Sequence, residues 1–244
     1  TSAGEYFYTQ SRKIMQEVNT IKQTVKQIEQ HEQGLFRLGC LNGYNLIQVC
    51  TVVNDILASD ASLNIEIFWG EHDELLDKLK KQELEMVICD IRPHENYEHF
   101  VQQIINEEPL RIAISARSPL VEQDYIDVSQ LKDLQCVVLV SQKDRETTEK
   151  YYQSLINFFG NFITPPQSFS GFSYLINNPA FMPVRCKDEG MAAFDSFIKI
   201  LPLQKEQEPI LVKYAVLYNE NDTTTKSYGT PNIHQNRIRS LLLD

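Results

Sequence analysis

Three short motifs and five cysteines are the parts of this 244-residue sequence whose residue types could do chemistry. Gly39-Cys40-Leu41-Asn42-Gly43 lies between an apolar run and a helical pattern, where a nucleotide loop would stand. It has neither the Gly-x-Gly-x-x-Gly spacing nor a Lys-Ser/Thr pair, so no phosphate cradle is predicted. Gln167-Ser168-Phe169-Ser170-Gly171 lacks the first glycine of a nucleophile elbow, which removes a hydrolase serine. His94-Glu95-Asn96-Tyr97-Glu98-His99 offers two imidazoles and two carboxylates to a metal. Its histidines are five apart and do not share a helix face, and the segment reads as a solvated loop leading into a helix. Cys40, Cys50, Cys89, Cys136 and Cys186 contain no Cys-x-x-Cys pair, hence neither a zinc knuckle nor a thioredoxin motif. An odd set of widely spaced thiols, three of them in apolar runs, fits reduced cysteines in a cytoplasmic protein. No spacing isolates an acid/base pair of carboxylates. These residues predict no catalytic group, no metal and no cofactor.

What remains is binding, and the elements that would position it can be read from local periodicity. Leu35 to Leu41 reads as a buried strand, followed from about Asn45 by a helix with Leu46, Val49, Cys50, Val53 and Leu57 on one face. A strand at Asn64 to Trp69, a helix carrying Leu75, Leu76 and Leu79, and an apolar strand at Met86 to Ile91 complete a βαβαβ unit on a mostly parallel sheet. The second half repeats the theme. Strands are expected at Arg111 to Ala116, Cys136 to Val140, Phe181 to Val184, Phe197 to Leu201 and Val212 to Tyr218. Helices are expected at Arg145 to Phe159, Gly171 to Ile176, Asp188 to Phe194 and Ile233 to Leu243, with a polar, mobile stretch from Asn219 to Tyr228.

In open parallel sheets, ligands lie beyond the carboxyl ends of strands, against helix N-termini with free amides. Leu41, Asn42, Gly43 and Tyr44 hold that place after the first strand, and Ile91 and Arg92 after the third. Ser170 and Gly171 would close the site from a second lobe, with Arg92 pairing a carboxylate.

The first 34 residues form a different object. Ile14, Val18, Ile21, Val25 and Ile28 recur at spacings of 4, 3, 4 and 3, an a/d heptad seam on a long helix with polar residues elsewhere. So narrow a stripe suits a partner helix better than a globular core, and predicts self-association. Four bases and four acids cancel there, so the remainder carries the whole formal charge of −10. That acidic body offers nucleic acid no basic footprint. No run of eighteen apolar residues predicts a membrane span, and nothing at the N-terminus directs secretion.

The sequence resembles the LysR-type transcriptional regulators. Thr1-Ser2-Ala3-Gly4-Glu5-Tyr6-Phe7 is similar to the stretch that opens their linker helix, and Phe36-Arg37-Leu38-Gly39 to the first strand of their effector-binding domain. Trp69-Gly70 with Glu74-Leu75-Leu76 and Leu79, then Leu84-Glu85-Met86-Val87-Ile88, resembles the following helix–strand block. Pro109-Leu110, Ser118-Pro119-Leu120 and Val128 to Leu134 are similar to the crossover and the start of the second subdomain. The resemblance implies an α/β fold of two Rossmann-like lobes of the periplasmic-binding-protein type (type II), preceded by a long linker helix. Its divisions would be a linker helix over residues 1–34, a first lobe of 35–112 with 210–244, and a second lobe of 113–209. Strands Arg111 to Ala116 and Val212 to Tyr218 would form the hinge between them. The implied partners are a small-molecule effector in the inter-lobe cleft and further copies of the chain, as homodimer or homotetramer. DNA would be contacted only through a winged helix-turn-helix missing from this chain. A transporter's solute-binding protein shares the bilobal fold, but has no use for a heptad helix.

Overall fold

Residues Met86–Asp90 are buried at all five positions, and the first sheet is built outward from them. The computed structural model describes residues 1–32, 35–93, 95–165, 168–185 and 196–219. Its first part runs α1 (Ser2–Glu32), β1 (Leu35–Leu41), α2 (Leu46–Ser59), β2 (Asn64–Gly70), α3 (His72–Lys80), β3 (Met86–Asp90) and β4 (Phe100–Pro109). There follow β5 (Arg111–Ser115), β6 (Ile126–Asp127), β7 (Gln135–Val137), α4 (Arg145–Ile156), β8 (Phe162–Ile163) and α5 (Ser168–Asn177). The last described strands are β9 (Ala180–Val184), β10 (Ile198–Lys205), β11 (Glu208–Pro209) and β12 (Leu211–Asn219). The expected helices at 188–194 and 233–243, the polar stretch beyond Asn219, and residues Gly34, His94 and Cys186 lie outside the described residues.

Among the described residues the strands form two sheets. The first has the order β2-β1-β3-β12-β4, with β1 parallel to β2 and β3, and β12 antiparallel to β3 and β4. The second has the path β11-β10-β5-β9-β7-β8, with β6 added beside β10. The chain passes from one sheet to the other twice, at Leu110 and at Ile210. These crossings lie side by side: the Leu110 N–H donates to the Ile210 carbonyl at 2.7 Å, and Leu110 is 2% exposed. The two-lobed α/β fold expected from the sequence is thus present.

Local readings differ from the structure in instructive places. The face that α2 buries is Val49, Val52 and Ile56, whereas Leu46 and Cys50 point to solvent. Apolar spacing alone leaves two adjacent stripes of this helix open, and packing on the sheet selects the neighbouring one. The segment after Tyr97 leads into β4 rather than a helix. β4 pairs with β12 along its whole length, with a bulge at Tyr214/Ala215, and its exposed Gln102 and Glu107 and half-buried Gln103 dilute the apolar signal. Helix α4 stops at Ile156 because Asn157 turns left-handed, at φ 54°. Strand β7 spans only three residues, and Val138 to Val140 leave the sheet.

Candidate functional site

Four strands end around one cavity of about 480 Å³, which lies within the size range of small-molecule sites. Asn42 and Gly43 follow β1, Glu71 follows β2, Val137 to Val140 end and continue β7, Val184 ends β9 and Arg185 follows it. Helix α4 contributes Thr148 and Tyr152, and α5 contributes Phe172. The cavity therefore sits at the carboxyl edges of both sheets, as the parallel-sheet rule requires.

Its polar side is a linked set. The Asn42 N–H donates to the Gly70 carbonyl at 2.9 Å, and its side-chain amide donates to Glu71 Oε1 at 3.0 Å. The Asn42 carbonyl accepts from Arg185 Nη1 at 2.8 Å, across the gap between the sheets. Arg185 Nη1 lies 3.5 Å from Glu71 Oε2, while the Arg185 carbonyl accepts from the Tyr214 hydroxyl at 3.2 Å. Burial raises the Tyr152 phenol above its ordinary range, against the pull of Arg185, so its hydroxyl keeps its proton. Gly43 has φ +74°, a conformation that strains any side chain, and open space where a Cβ would stand. At Gly171 an added Cβ would come 2.5 Å from Leu139 Cδ2, so the glycine lets α5 close onto the cavity wall.

The residues singled out from sequence fall in different places. Asn42 and Gly43 line the cavity, but they do not begin the helix: Asn45 caps α2, accepting from the Ile47 N–H at 2.9 Å. Leu41 is fully buried in the core, and Tyr44 packs its ring 4.6 Å from that of Tyr214. Ile91 is half-buried and donates its N–H to Lys213. Ser170 and Gly171 lie in the first turn of α5, and Gly171 is buried behind Leu139.

Arg92 departs most from expectation. It is 4% exposed and lies off the cavity, with Nε 3.3 Å from Asp90 Oδ2 and Nη1 3.6 Å from Asp73 Oδ1. Its guanidinium stacks 4.8 Å above the Tyr151 ring of α4. The charge is spent on the protein's own carboxylates. The cavity's cation is Arg185, and Glu71, Thr148 and Tyr152 were likewise missed. Glu71 and Arg185 stand directly after strands that were correctly located, so the carboxyl-end rule applied to every strand would have found them.

Burial pushes the Cys40 thiol up to about 12 and raises Cys89 and Cys136 well above their ordinary value. Cys50 is exposed. Native alkylation with iodoacetamide, followed by peptide mass mapping, is expected to label Cys50 and to spare these three until the protein is unfolded. Rapid native labelling of Cys40 or Cys136 would show that the sheets open readily. Among the described residues no group of three or more His, Cys, Asp or Glu is placed to hold a metal ion, and no helix is long and apolar enough to cross a membrane.

The model of the LysR substrate binding domain matches residues 29–160. No curated protein sequence matches significantly. A full-length OxyR from Pseudomonas aeruginosa, carrying a cysteine-to-aspartate change, is 14% identical with a TM-score of 0.59, covering 93% of this chain and 77% of that one. The effector binding domain of QuiR in complex with shikimate is 15% identical with a TM-score of 0.61, covering 80% and 93%. The reduced regulatory domain of a second OxyR, from Vibrio vulnificus, is 16% identical with a TM-score of 0.61, covering 81% and 92%.

Proposed function

Because this chain belongs to the LysR substrate-binding-domain family, we propose that it is the sensing and self-associating part of a transcriptional regulator, taking a small-molecule effector in the cleft between its sheets. The observation that carries the reading is the cavity at the carboxyl edges of both sheets, spanned by the Arg185 to Asn42 hydrogen bond. The sheet of β1 to β4 with β12 acts as one lobe and the sheet of β5 to β11 as the other, pivoting at the paired crossings of Leu110 and Ile210. A ligand that touches both sheets favours one lobe arrangement over another, which is how occupancy would reach a DNA-binding module. DNA contact belongs to a winged helix-turn-helix outside this chain, since the body described here is acidic. The place of action is the cytoplasm.

A thermal-shift screen of metabolites, shikimate among them, tests the cleft. A ligand at 100 times its dissociation constant stabilises by about 2.7 kcal/mol, enough to move the transition by several degrees. A hit whose affinity is unchanged by Arg185→Gln and by Asn42→Ala would place the site elsewhere.

Self-association rests on α1. Ile14, Val18, Ile21 and Val25 are 60%, 38%, 58% and 49% exposed, an apolar seam facing solvent on a helix about 46 Å long. Ile28 continues the spacing. Sedimentation of an Ile21→Asp, Val25→Asp double variant is expected to shift to smaller species, because each aspartate puts a charge into the seam. An unchanged assembly would move the contact to the exposed Leu46 and Ile47 of α2 or the Ile67 and Trp69 of β2.

A further inference from the structure

Among the described residues lining the cavity, the charged ones are Glu71 and Arg185, one of each sign. They lie together but are incompletely bonded. Their closest approach is 3.5 Å, and among the described residues neither Arg185 Nε nor Glu71 Oε2 has a hydrogen-bond partner, although both atoms are shielded from water. A donor and an acceptor are thus unsatisfied on two neighbouring side chains of opposite charge, a costly state that a ligand bearing the complementary pair would relieve. The lining also holds apolar side chains, among them Leu139, Phe172 and Met182.

The chemistry of a fitting ligand follows. A simple anion would satisfy the guanidinium but meet the Glu71 carboxylate. A simple cation would satisfy Glu71 but meet Arg185. Either leaves one buried charge opposed, so the site selects against both. A molecule with an anionic and a cationic group on one carbon presents them as close together as the two protein charges stand. We propose that the cleft takes an α-amino acid with an apolar side chain, its carboxylate on Arg185 and its ammonium on Glu71, with the side chain against Leu139, Phe172 and Met182. This inference rests on the reading of the cleft as the effector site. The 3.5 Å contact between Arg185 and Glu71 yields to the ligand, each partner exchanging a long ion pair for a shorter charge-assisted hydrogen bond.

Titration calorimetry on the 244-residue chain with two matched series tests it. L-Phenylalanine is compared with hydrocinnamate and phenethylamine, and L-leucine with isocaproate and isoamylamine. In the wild type at least one amino acid is expected to bind about tenfold or more tighter than either of its one-headed analogues. The variants should redirect the preference in opposite senses. Glu71→Gln keeps an acceptor for Asn42 but removes the negative charge, and should shift preference toward the carboxylates. Arg185→Gln should shift it toward the amines. A merely structural role for the pair would weaken all compounds alike.

An analogue lacking the ammonium that binds the wild type as tightly as the amino acid overturns the proposal, and needs no variant to fold. So does binding of shikimate, or of another metabolite without an ammonium, when neither amino acid binds; the effector reading would then survive. If nothing in the metabolite screen binds, the effector reading falls and this proposal with it.

Discussion

Replacing Arg92 with methionine is expected to cost about 3–5 kcal/mol of stability, the scale for removing one partner of a buried ion pair. Methionine keeps much of the side chain's volume, so the loss reports charge rather than a cavity. The abandoned partner is Asp90, which is 1% exposed at the end of β3 and already has one oxygen, Oδ1, without a hydrogen bond among the described residues. Burial opposes the charge of Asp90, yet Arg92, His72 and Arg185 together hold its carboxyl below the usual carboxylate range. A carboxyl held low contributes stability above its ordinary pKa of about 4, and that contribution is lost as the pH falls through the lowered value. In the variant, burial acts against fewer cations, and Asp90 more readily takes up a proton in the folded state. The stability gap between wild type and variant should therefore narrow from pH 7 toward pH 4. Urea denaturation followed by circular dichroism across that range is the measurement. A gap below about 1 kcal/mol at neutral pH, or one that widens in acid, would show that Asp90 does not depend on this guanidinium.

Glu85→Ala is expected to have an effect of the same order for a different reason. The Glu85 carboxylate fastens the start of β1 to the turn before β3. Its Oε2 accepts the Arg37 backbone N–H at 2.6 Å, and its two oxygens accept Arg37 Nε at 3.2 Å. The Arg37 Nη2 lies 2.5 Å from Oε1, and the Glu85 backbone N–H donates in turn to the Arg37 carbonyl at 3.0 Å. Both side chains are largely buried, at 13% and 8% exposure. Alanine would leave the Arg37 backbone donor without an acceptor, and the guanidinium with the Gln82 carbonyl, 3.3 Å from Nη2, but no carboxylate, in a place water reaches poorly, at a cost of about 3–5 kcal/mol. Glu85→Gln retains an acceptor and loses the charge, so its loss should be smaller. Equal losses in the two variants would mean that the charge alone matters, and a loss in Glu85→Ala below about 1 kcal/mol would mean that water takes the carboxylate's place.

The two variants act at different levels of the molecule. Glu85 holds adjacent strands of one sheet in register. Arg92 stacks on Tyr151 of α4, and Asp73 of α3 is hydrogen-bonded to Thr147 on the same helix. The Arg92 cluster thus ties α3 and the end of β3 to a helix that lines the cleft, without itself lining the cavity.

What was legible from sequence is what neighbours along the chain decide. The order β1, α2, β2, α3, β3 follows from apolar periodicity, because each element must bury one face whatever the rest of the chain does. The heptad spacing on α1 and the placing of Asn42 and Gly43 beyond the first strand are likewise local statements. The burial of Cys40, Cys89 and Cys136 follows from the apolar runs that hold them. The tertiary structure decided what depends on residues distant in sequence. Arg92 reads as a free cation until the fold turns it inward onto Asp90, with Asp73 brought to it by α3 and Tyr151 by α4. Strand β4 was invisible because it gains its order from β12, more than a hundred residues later, rather than from its own polar sequence. Glu71 and Arg185 meet only because the chain crosses between sheets at Leu110 and returns at Ile210, turning the carboxyl edges of β2 and β9 toward one cavity. Local periodicity determines which side chains are buried; which charges become partners is set by the return path of the chain, and no local pattern encodes it.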